Sequence, residues 1–336
     1  MTTIITCNAG SSNTKLAVFE AGSLVRTEAI QTHSEMETLA WLKSQACNPA
    51  AIGHRVVHGG DRFTKPTLIT PEILDELAEF IPLAPLHQPV AIKLIAEVTK
   101  LYPDVPQVAC FDTAFHHNMP ELERRLSLPR NYYDYGIKRY GFHGLSYQYI
   151  ASVLPEHLGD KATKRIIVAH LGSGSSMCAM KNLKSVASTM GFSTLDGLMM
   201  GTRCGALDAG VILHLLQHKN MSVDEISKLL YKNSGLLGVS GVSNDMRELL
   251  ASDKPEASEA INLYCYLAAK QLCSLLPAIG GIEGLIFTGG IGEHAEPIRQ
   301  KIYSYLSWLG DIPVYVIPTD EEAVIAKSCH KVMTIY

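Results

Sequence analysis

At 336 residues the chain is about twice the usual domain size, so two domains with separate cores are expected. Hydrophobic residues make up 47% of it, enough for two such cores. The net charge of -4, the pI near 6.3 and the absence of any block of like charges exclude a basic surface for nucleic acid or an anionic membrane, so the expected partner is a small molecule.

Along the chain, Met1 to Thr6 carries no positive residue before its apolar run and reads as a first strand rather than a signal peptide. The stretch Asn8-Ala-Gly-Ser-Ser-Asn-Thr-Lys15 then joins Ile4–Cys7 to Leu16–Phe19, a small-residue turn between two strand-like runs. Its glycine and serines let backbone amides approach an anion, Lys15 adds a mobile positive charge, and Asn8 is placed to hold a metal-bound water. A Walker loop or a dinucleotide fingerprint needs a helix next; alternating Thr14–Phe19 and the turn Glu20–Ser23 predict a hairpin instead. Helical spacing covers 34–47, and 52–57 reads as a strand ending in His54-Arg-Val-Val-His-Gly-Gly60. Thr70 with Pro71 starts a capped helix, 89–102 is helical, and Pro106–Phe111 is a buried strand that delivers Asp112 at its C-terminal end, where ligands bind in open α/β sheets.

The second half repeats the device. Arg165–Leu171 is strand-like, Gly172-Ser-Gly-Ser-Ser176 is a second Gly/Ser turn, and Met177–Met180 resumes a strand. One such loop is equally an ordinary hairpin turn; two copies, one near each domain start, argue for a duplicated core. Helices follow over 206–217, 223–231 and 256–276, then strand 284–288 running into Gly289-Gly-Ile-Gly292, a last strand 313–317, and a closing helix after Pro318–Glu322. The most apolar long stretch, Leu275–Gly292, holds Glu283 and six glycines, too polar and flexible for a membrane span. The eight cysteines are scattered with no Cys-x-x-Cys pair, which speaks against zinc or a disulfide framework and for a reducing cytoplasm.

Charged side chains framed by glycine or apolar residues are costly to bury unless paired or bound to something. Arg55, His58, His87, Asp112, His143, Arg203 and the Asp245/Arg247 pair all sit in such frames. Taken singly, each is more often a satisfied structural group.

Taken together, the segments resemble the acetate kinase family. Its blocks occur in order as Asn8-Ala-Gly-Ser-Ser, His54–Gly60, Pro85-Leu-His87, Phe111–His116, Arg139–Gly144, His170-Leu-Gly, Met190–Phe192, Gly197–Arg203, Ser234–Gly241 and Phe287–Glu293, spanning nearly the whole chain. The resemblance implies an α/β fold of two duplicated actin-like (ribonuclease H-like) domains, each with a mixed five-stranded sheet, closing on a cleft. The expected division is 1–115 with 322–336, and 116–321, the second carrying the nucleotide site and a homodimer interface. The implied activity is reversible transfer of the ATP γ-phosphoryl to acetate, with Mg²⁺ (or Mn²⁺), giving acetyl phosphate and ADP in the cytoplasm.

Matched position by position, the resemblance makes Arg55, Asp112, His143 and Arg203 catalytic. The arginines hold the acyl carboxylate and the transferring phosphoryl, and His143 donates to its equatorial oxygens. Val57, Leu86 and Phe142 form a small methyl pocket with Thr194 at its edge. Asn8 and Glu321, with Asp112, serve the magnesium, directly or through water, with Ser11, Lys15 and His87 nearby at the phosphates. The nucleotide falls to Lys15, His170, Leu171, Gly172, Ser173, Gly174, Asp245, Met246, Arg247, Gly290, Ile291, Gly292 and His294. The chemistry agrees: acetate is already ionised near neutral pH, so its oxygen attacks without a general base, and alignment and charge neutralisation are what remain to be supplied.

Several positions depart from the family pattern. Ser173 stands for an Asn, His294 for an Asn, Met246 for an aromatic residue, Thr194 for a proline and Asn13 for a serine, and the chain is shorter than typical members, mostly before His54. Three of these departures fall on the nucleotide side, which leaves propionate- and pyrophosphate-using relatives as alternatives. A nucleotide-binding regulatory protein without catalysis would be marked by a lost Arg203 or Asp112, and both are present.

Overall fold

In the computed structural model, residues 3–10, 13–31, 35–45 and 48–334 are described. They divide into two compact units: residues up to 117 with 142–152 and from 320 onward, and residues 118–141 with 153–319.

The first unit opens with the strands Thr3–Ala9 (β1), Asn13–Glu20 (β2) and Ser23–Gln31 (β3), paired antiparallel in a meander. Ala51–Val56 (β4) joins β1 in parallel, Gln107–Phe111 (β6) joins β4 in parallel, and the two-residue Thr67–Leu68 (β5) closes the edge antiparallel to β6. The order is β3-β2-β1-β4-β6-β5, so this sheet has six strands rather than the five expected. A two-residue edge strand has no periodicity to betray it.

Alternation along the strands sends side chains to two buried faces. Ile5, Cys7, Leu16, Val18 and Ile52 pack with Trp41, Leu42, Leu94 and Val98. Ile4, Ala17, Phe19, Ala51, Val108 and Cys110 pack with Ile325 and Cys329 of the helix Glu321–Met333. Gly53 on β4 permits this second contact, because a Cβ there would lie 2.3 Å from Ile325 Cγ2 and 2.6 Å from Cys329 Sγ.

The second unit repeats the plan. Ile166–Leu171 (β7), Ser175–Lys181 (β8) and Lys184–Ser188 (β9) form an antiparallel meander, Gly284–Thr288 (β10) pairs with β7 in parallel, and Val314–Val316 (β11) pairs with β10 in parallel, giving the order β11-β10-β7-β8-β9. Strand for strand this is β6-β4-β1-β2-β3 again, the duplication expected from the two Gly/Ser turns. The 25-residue helix Pro255–Ile279, ended by Gly280 in the left-handed region (φ +73°), supplies Ala257, Ala260, Tyr264, Ala268 and Leu272 to the core beneath this sheet. The helices expected over 206–217 and 223–231 are found at Ala209–His218, capped by Asp208, and Val223–Lys232, opened by a Ser222/Glu225 capping box. The Gly289-Gly-Ile-Gly292 turn that follows β10 is the start of a short helix, Gly289–His294. No described helix is long and apolar enough to cross a membrane.

Candidate active site

Three neighbouring parallel strands end side by side in the first unit, and each delivers one polar side chain from or just past its C-terminal end: Asn8 from β1, Arg55 from β4 and Asp112 after β6. The Arg55 guanidinium grips the Asp112 carboxylate, with Nε 3.1 Å from both oxygens and Nη2 2.6 Å from Oδ2. Its Nη1 donates to Asn8 Oδ1 at 3.4 Å, and Asn8 Nδ2 donates to Glu321 Oε2 and Glu322 Oε1, both at 2.8 Å. Asp320 sets these two glutamates in place by accepting from Ala323 N at 2.8 Å as the helix cap. The turn after β1 is closed by Gly10 N donating to Asn13 O at 2.8 Å. Lys15, opposite Asn8 on β2, is exposed and lines a cavity of about 500 Å³ with Thr27, Glu28, Asp320 and Glu322. Ser11 lies outside the described residues.

The electrostatics are lopsided. Three carboxylates, those of Asp112, Glu321 and Glu322, meet one guanidinium. Burial pushes the Asp112 carboxyl above its ordinary value, Arg55 pulls it back, and Glu321 pushes it up again. Burial works against the Arg55 charge, but Asp112 and then Glu321 outweigh it and hold its pKa above the ordinary value. Oxygen donors with excess negative charge match a hard divalent cation. Among the described residues no three His, Cys, Asp or Glu side chains are grouped so as to hold a metal ion by themselves.

His143 adopts φ +57°, a left-handed conformation uncommon outside glycine, and its backbone N–H binds the Asp112 carboxylate. The next residue, Gly144, begins the helix Gly144–Leu158 so close to Asp112 that a Cβ would stand 2.0 Å from the Asp112 carbonyl oxygen. Val57 and Phe142 are buried, whereas Leu86 is exposed in the turn before the helix Gln88–Leu101 and His87 is half-buried at that helix's start. The polar block after β4 is locked from within: Gly60 N donates to His58 Nδ1 at 3.0 Å, Gln88 bridges to His58 N and O, and Gly59 N donates to Thr113 Oγ1 at 3.0 Å.

In the second unit the glycine turns converge. A Cβ on Gly289, whose φ is +77°, would meet Leu171 O at 2.8 Å, and one on Gly172 would come within 4.0 Å of Gly290 N. The end of β7 therefore lies against the start of the 289–294 helix, bringing Leu171, Gly172, Ile291 and Gly292 to one place. Ser173 is exposed and its carbonyl accepts from Gly201 N at 3.2 Å; Gly174 is buried and His170 half-buried. Asp245 caps the short helix Met246–Leu250 by accepting from Arg247 N, and the exposed Arg247 side chain folds back onto it, while Met246 is buried in the core. His294 is largely exposed. Arg203 is buried, and its Nη1 donates to Thr194 O at 2.9 Å.

Two further glutamates hold these groups in place. Glu293 accepts from Gly289 N at 2.8 Å and Thr319 N at 3.2 Å, which fixes the glycine turn as helix; its place at the end of Gly-Ile-Gly-Glu was the available signal. Glu322 shares Asn8 with Glu321, a contact between residues 314 apart that no local pattern announces.

Two units that repeat one strand order, with polar residues at the ends of their central strands, define the duplicated α/β architecture of the actin-like fold, as found in acetate kinase structures. The chain matches the acetokinase family over residues 25–313 and belongs to it. It is 52% identical over 301 residues to an acetate kinase of Rhodopseudomonas palustris, covering 83% of this chain and 76% of that protein. Among solved structures, the acetate kinase of Porphyromonas gingivalis superposes with a TM-score of 0.86 at 32% identity, covering 99% of this chain and 100% of the other. A propionate kinase from Francisella tularensis superposes with 0.88 at 33% identity, covering 98% and 100%.

Proposed function

We propose that the protein is an acetate kinase that transfers the γ-phosphoryl of ATP to acetate, and runs the reverse reaction from acetyl phosphate and ADP. The observation that carries this reading is the Asn8–Arg55–Asp112–Glu321 cluster at the ends of β1, β4 and β6. It offers an oxygen-rich patch for a divalent cation beside a guanidinium for an anion, the parts that an in-line phosphoryl transfer needs.

Asn8, Asp112 and Glu321 would hold Mg²⁺, directly or through water, with Glu322 added to the set. When bound, the ion neutralises phosphate charge. Arg55 binds the acyl carboxylate or the phosphoryl from the first unit, and Arg203 supplies the second cation. His143 is presented by its left-handed backbone to donate to phosphoryl oxygens. Val57 and Phe142 bound the methyl group, whereas Leu86, exposed in the turn before the helix Gln88–Leu101, is not buried with them. The Leu171–Gly174 and Gly289–Gly292 turns and Asp245–Arg247 bind the nucleotide, so the two units serve as the two domains. An exposed aromatic group of Tyr266, Tyr305 and Trp308, with Tyr266 and Tyr305 rings 5.5 Å apart, is the surface a homodimer would cover; light scattering of the eluted protein tests it.

A hydroxamate assay for acyl phosphate decides the function, run with acetate, propionate and butyrate against ATP, GTP and pyrophosphate. Acetate with ATP is expected to give the highest specificity constant among acyl acceptors, with GTP comparable to ATP because Ser173 and His294 read the base weakly and Met246, buried in the core, does not face it. A higher constant for propionate would favour the second reading, which the Francisella likeness supports. A higher constant for pyrophosphate than for ATP would refute the donor assignment.

A further inference from the structure

Away from every residue given a role above, the Ala209–His218 helix carries His214 and His218 one turn apart. Both side chains are exposed, and their rings lie side by side with centres 5.1 Å apart and planes inclined by 41°. Residues four apart on a helix share a face, which is how paired histidines grip a single cation. The ring spacing can be tested against that role. With metal–nitrogen bonds of about 2.0–2.1 Å, each ring centre stands about 3.2 Å from the cation, and two rings at a tetrahedral angle then have centres about 5 Å apart. The observed separation of 5.1 Å matches that spacing.

From this geometry we infer that His214 and His218 form a two-point site for a late first-row divalent cation, Zn²⁺, Ni²⁺ or Cu²⁺. Imidazole nitrogens suit these ions, whereas Mg²⁺ prefers oxygen donors, so the site is chemically separate from the carboxylate cluster of the first unit. Among the described residues no third His, Cys, Asp or Glu completes a cage, so the remaining positions belong to water. His218 also occupies the last turn of its helix, where the negative end of the helix dipole favours a cation. Ligation clamps the final turn of the helix and stabilises the folded chain by mass action.

The test uses untagged full-length protein freed of metal by EDTA and titrated calorimetrically with Zn²⁺. One equivalent per chain is expected, with a rise in melting temperature on addition of Zn²⁺. His214→Ala and His218→Ala each remove one arm of the chelate, so each should weaken binding on the order of 10²-fold and abolish the thermal shift. Both positions are exposed and alanine is the better helix former, so both variants should fold, and either carries the test alone. Absence of a binding isotherm in the unaltered protein would overturn the inference. So would an isotherm that the His214→Ala/His218→Ala double variant leaves unchanged, since the cation would then sit on other histidines.

Discussion

Two arginines with the same proposed chemistry stand in different surroundings, and that difference separates their variants. Arg55 is the partner of a fully buried carboxylate, so Arg55→Ala leaves Asp112 without a countercharge. Breaking a buried pair from one side costs about 3–5 kcal/mol, and this variant should lose both turnover and melting temperature. Arg203 is buried and donates to the Thr194 carbonyl, a charge-assisted contact worth about 1.5–3 kcal/mol. Arg203→Ala should stay folded while its kcat falls on the order of 10³-fold, the usual effect of deleting one preorganised charge from a phosphoryl-transfer site. Collapse of its melting temperature, or turnover near the original, would remove Arg203 from the reaction. At the acyl end, buried Val57 limits the space for substrate. An extra methylene is worth only about 1–3 kcal/mol, so Val57→Ala should narrow the acetate-over-propionate ratio of specificity constants rather than invert it. An unchanged ratio excludes Val57 from the pocket.

Elements became legible in the sequence in proportion to how local their causes are. The β1–β2 and β7–β8 hairpins could be read from alternation interrupted by a Gly/Ser turn, whereas the grouping of Asn8, Arg55 and Asp112 follows only from the family resemblance, because no local pattern says which parallel strands are neighbours. β9, Lys184-Ser-Val-Ala-Ser188, lacks an alternating apolar face and is a strand only because β8 offers it a partner. Glycine disfavours helix, yet Gly289–His294 is helical because Glu293 reaches back to the Gly289 amide. The helix Gly144–Leu158 was likewise hidden: its start depends on a strained His143 and on a carbonyl of Asp112 that admits only glycine. The packing of β4 on the helix Glu321–Met333 is a further non-local constraint with a direct test. A methyl at Gly53 has no room against Ile325 and Cys329, so Gly53→Ala must push that helix outward, at about 1–3 kcal/mol for the overpacking. Because Glu321 and Glu322 ride on that helix, the variant should need more Mg²⁺ for half-maximal activity as well as melting earlier. A lower melting temperature with an unchanged Mg²⁺ requirement would detach these glutamates from the metal.

On the scale of the whole molecule, the first unit stores a response to acid in buried imidazoles. His54 donates from Nε2 to Gln107 Oε1 at 2.7 Å, and Gln107 continues the chain to Thr99 at 2.7 Å, tying β4 and β6 to the helix Gln88–Leu101. His116 donates from Nε2 to Phe142 O at 2.9 Å, tying the segment after β6 to the strand-like approach to His143. Burial lowers each pKa from 6.5 to about 4, so both rings are neutral when folded and take up protons readily only when unfolded. Between these limits the unfolded chain binds more protons, and stability rises with pH: it is intact above the unfolded value of about 6.5 and is lost as pH falls toward 4. One pKa unit corresponds to about 1.4 kcal/mol, which makes the loss about 2 kcal/mol per histidine at pH 5, a large part of a typical folding free energy. Urea unfolding should therefore give a sharply lower midpoint at pH 5 than at pH 7.5, with hydrogen exchange in β4 and β6 accelerating over the same interval. His54→Gln and His116→Gln keep a donor in place but cannot titrate, so each should flatten the profile by about one histidine's share even where it lowers stability at neutral pH. A pH dependence as steep in both variants as in the unaltered chain would mean that the acid response comes from other groups.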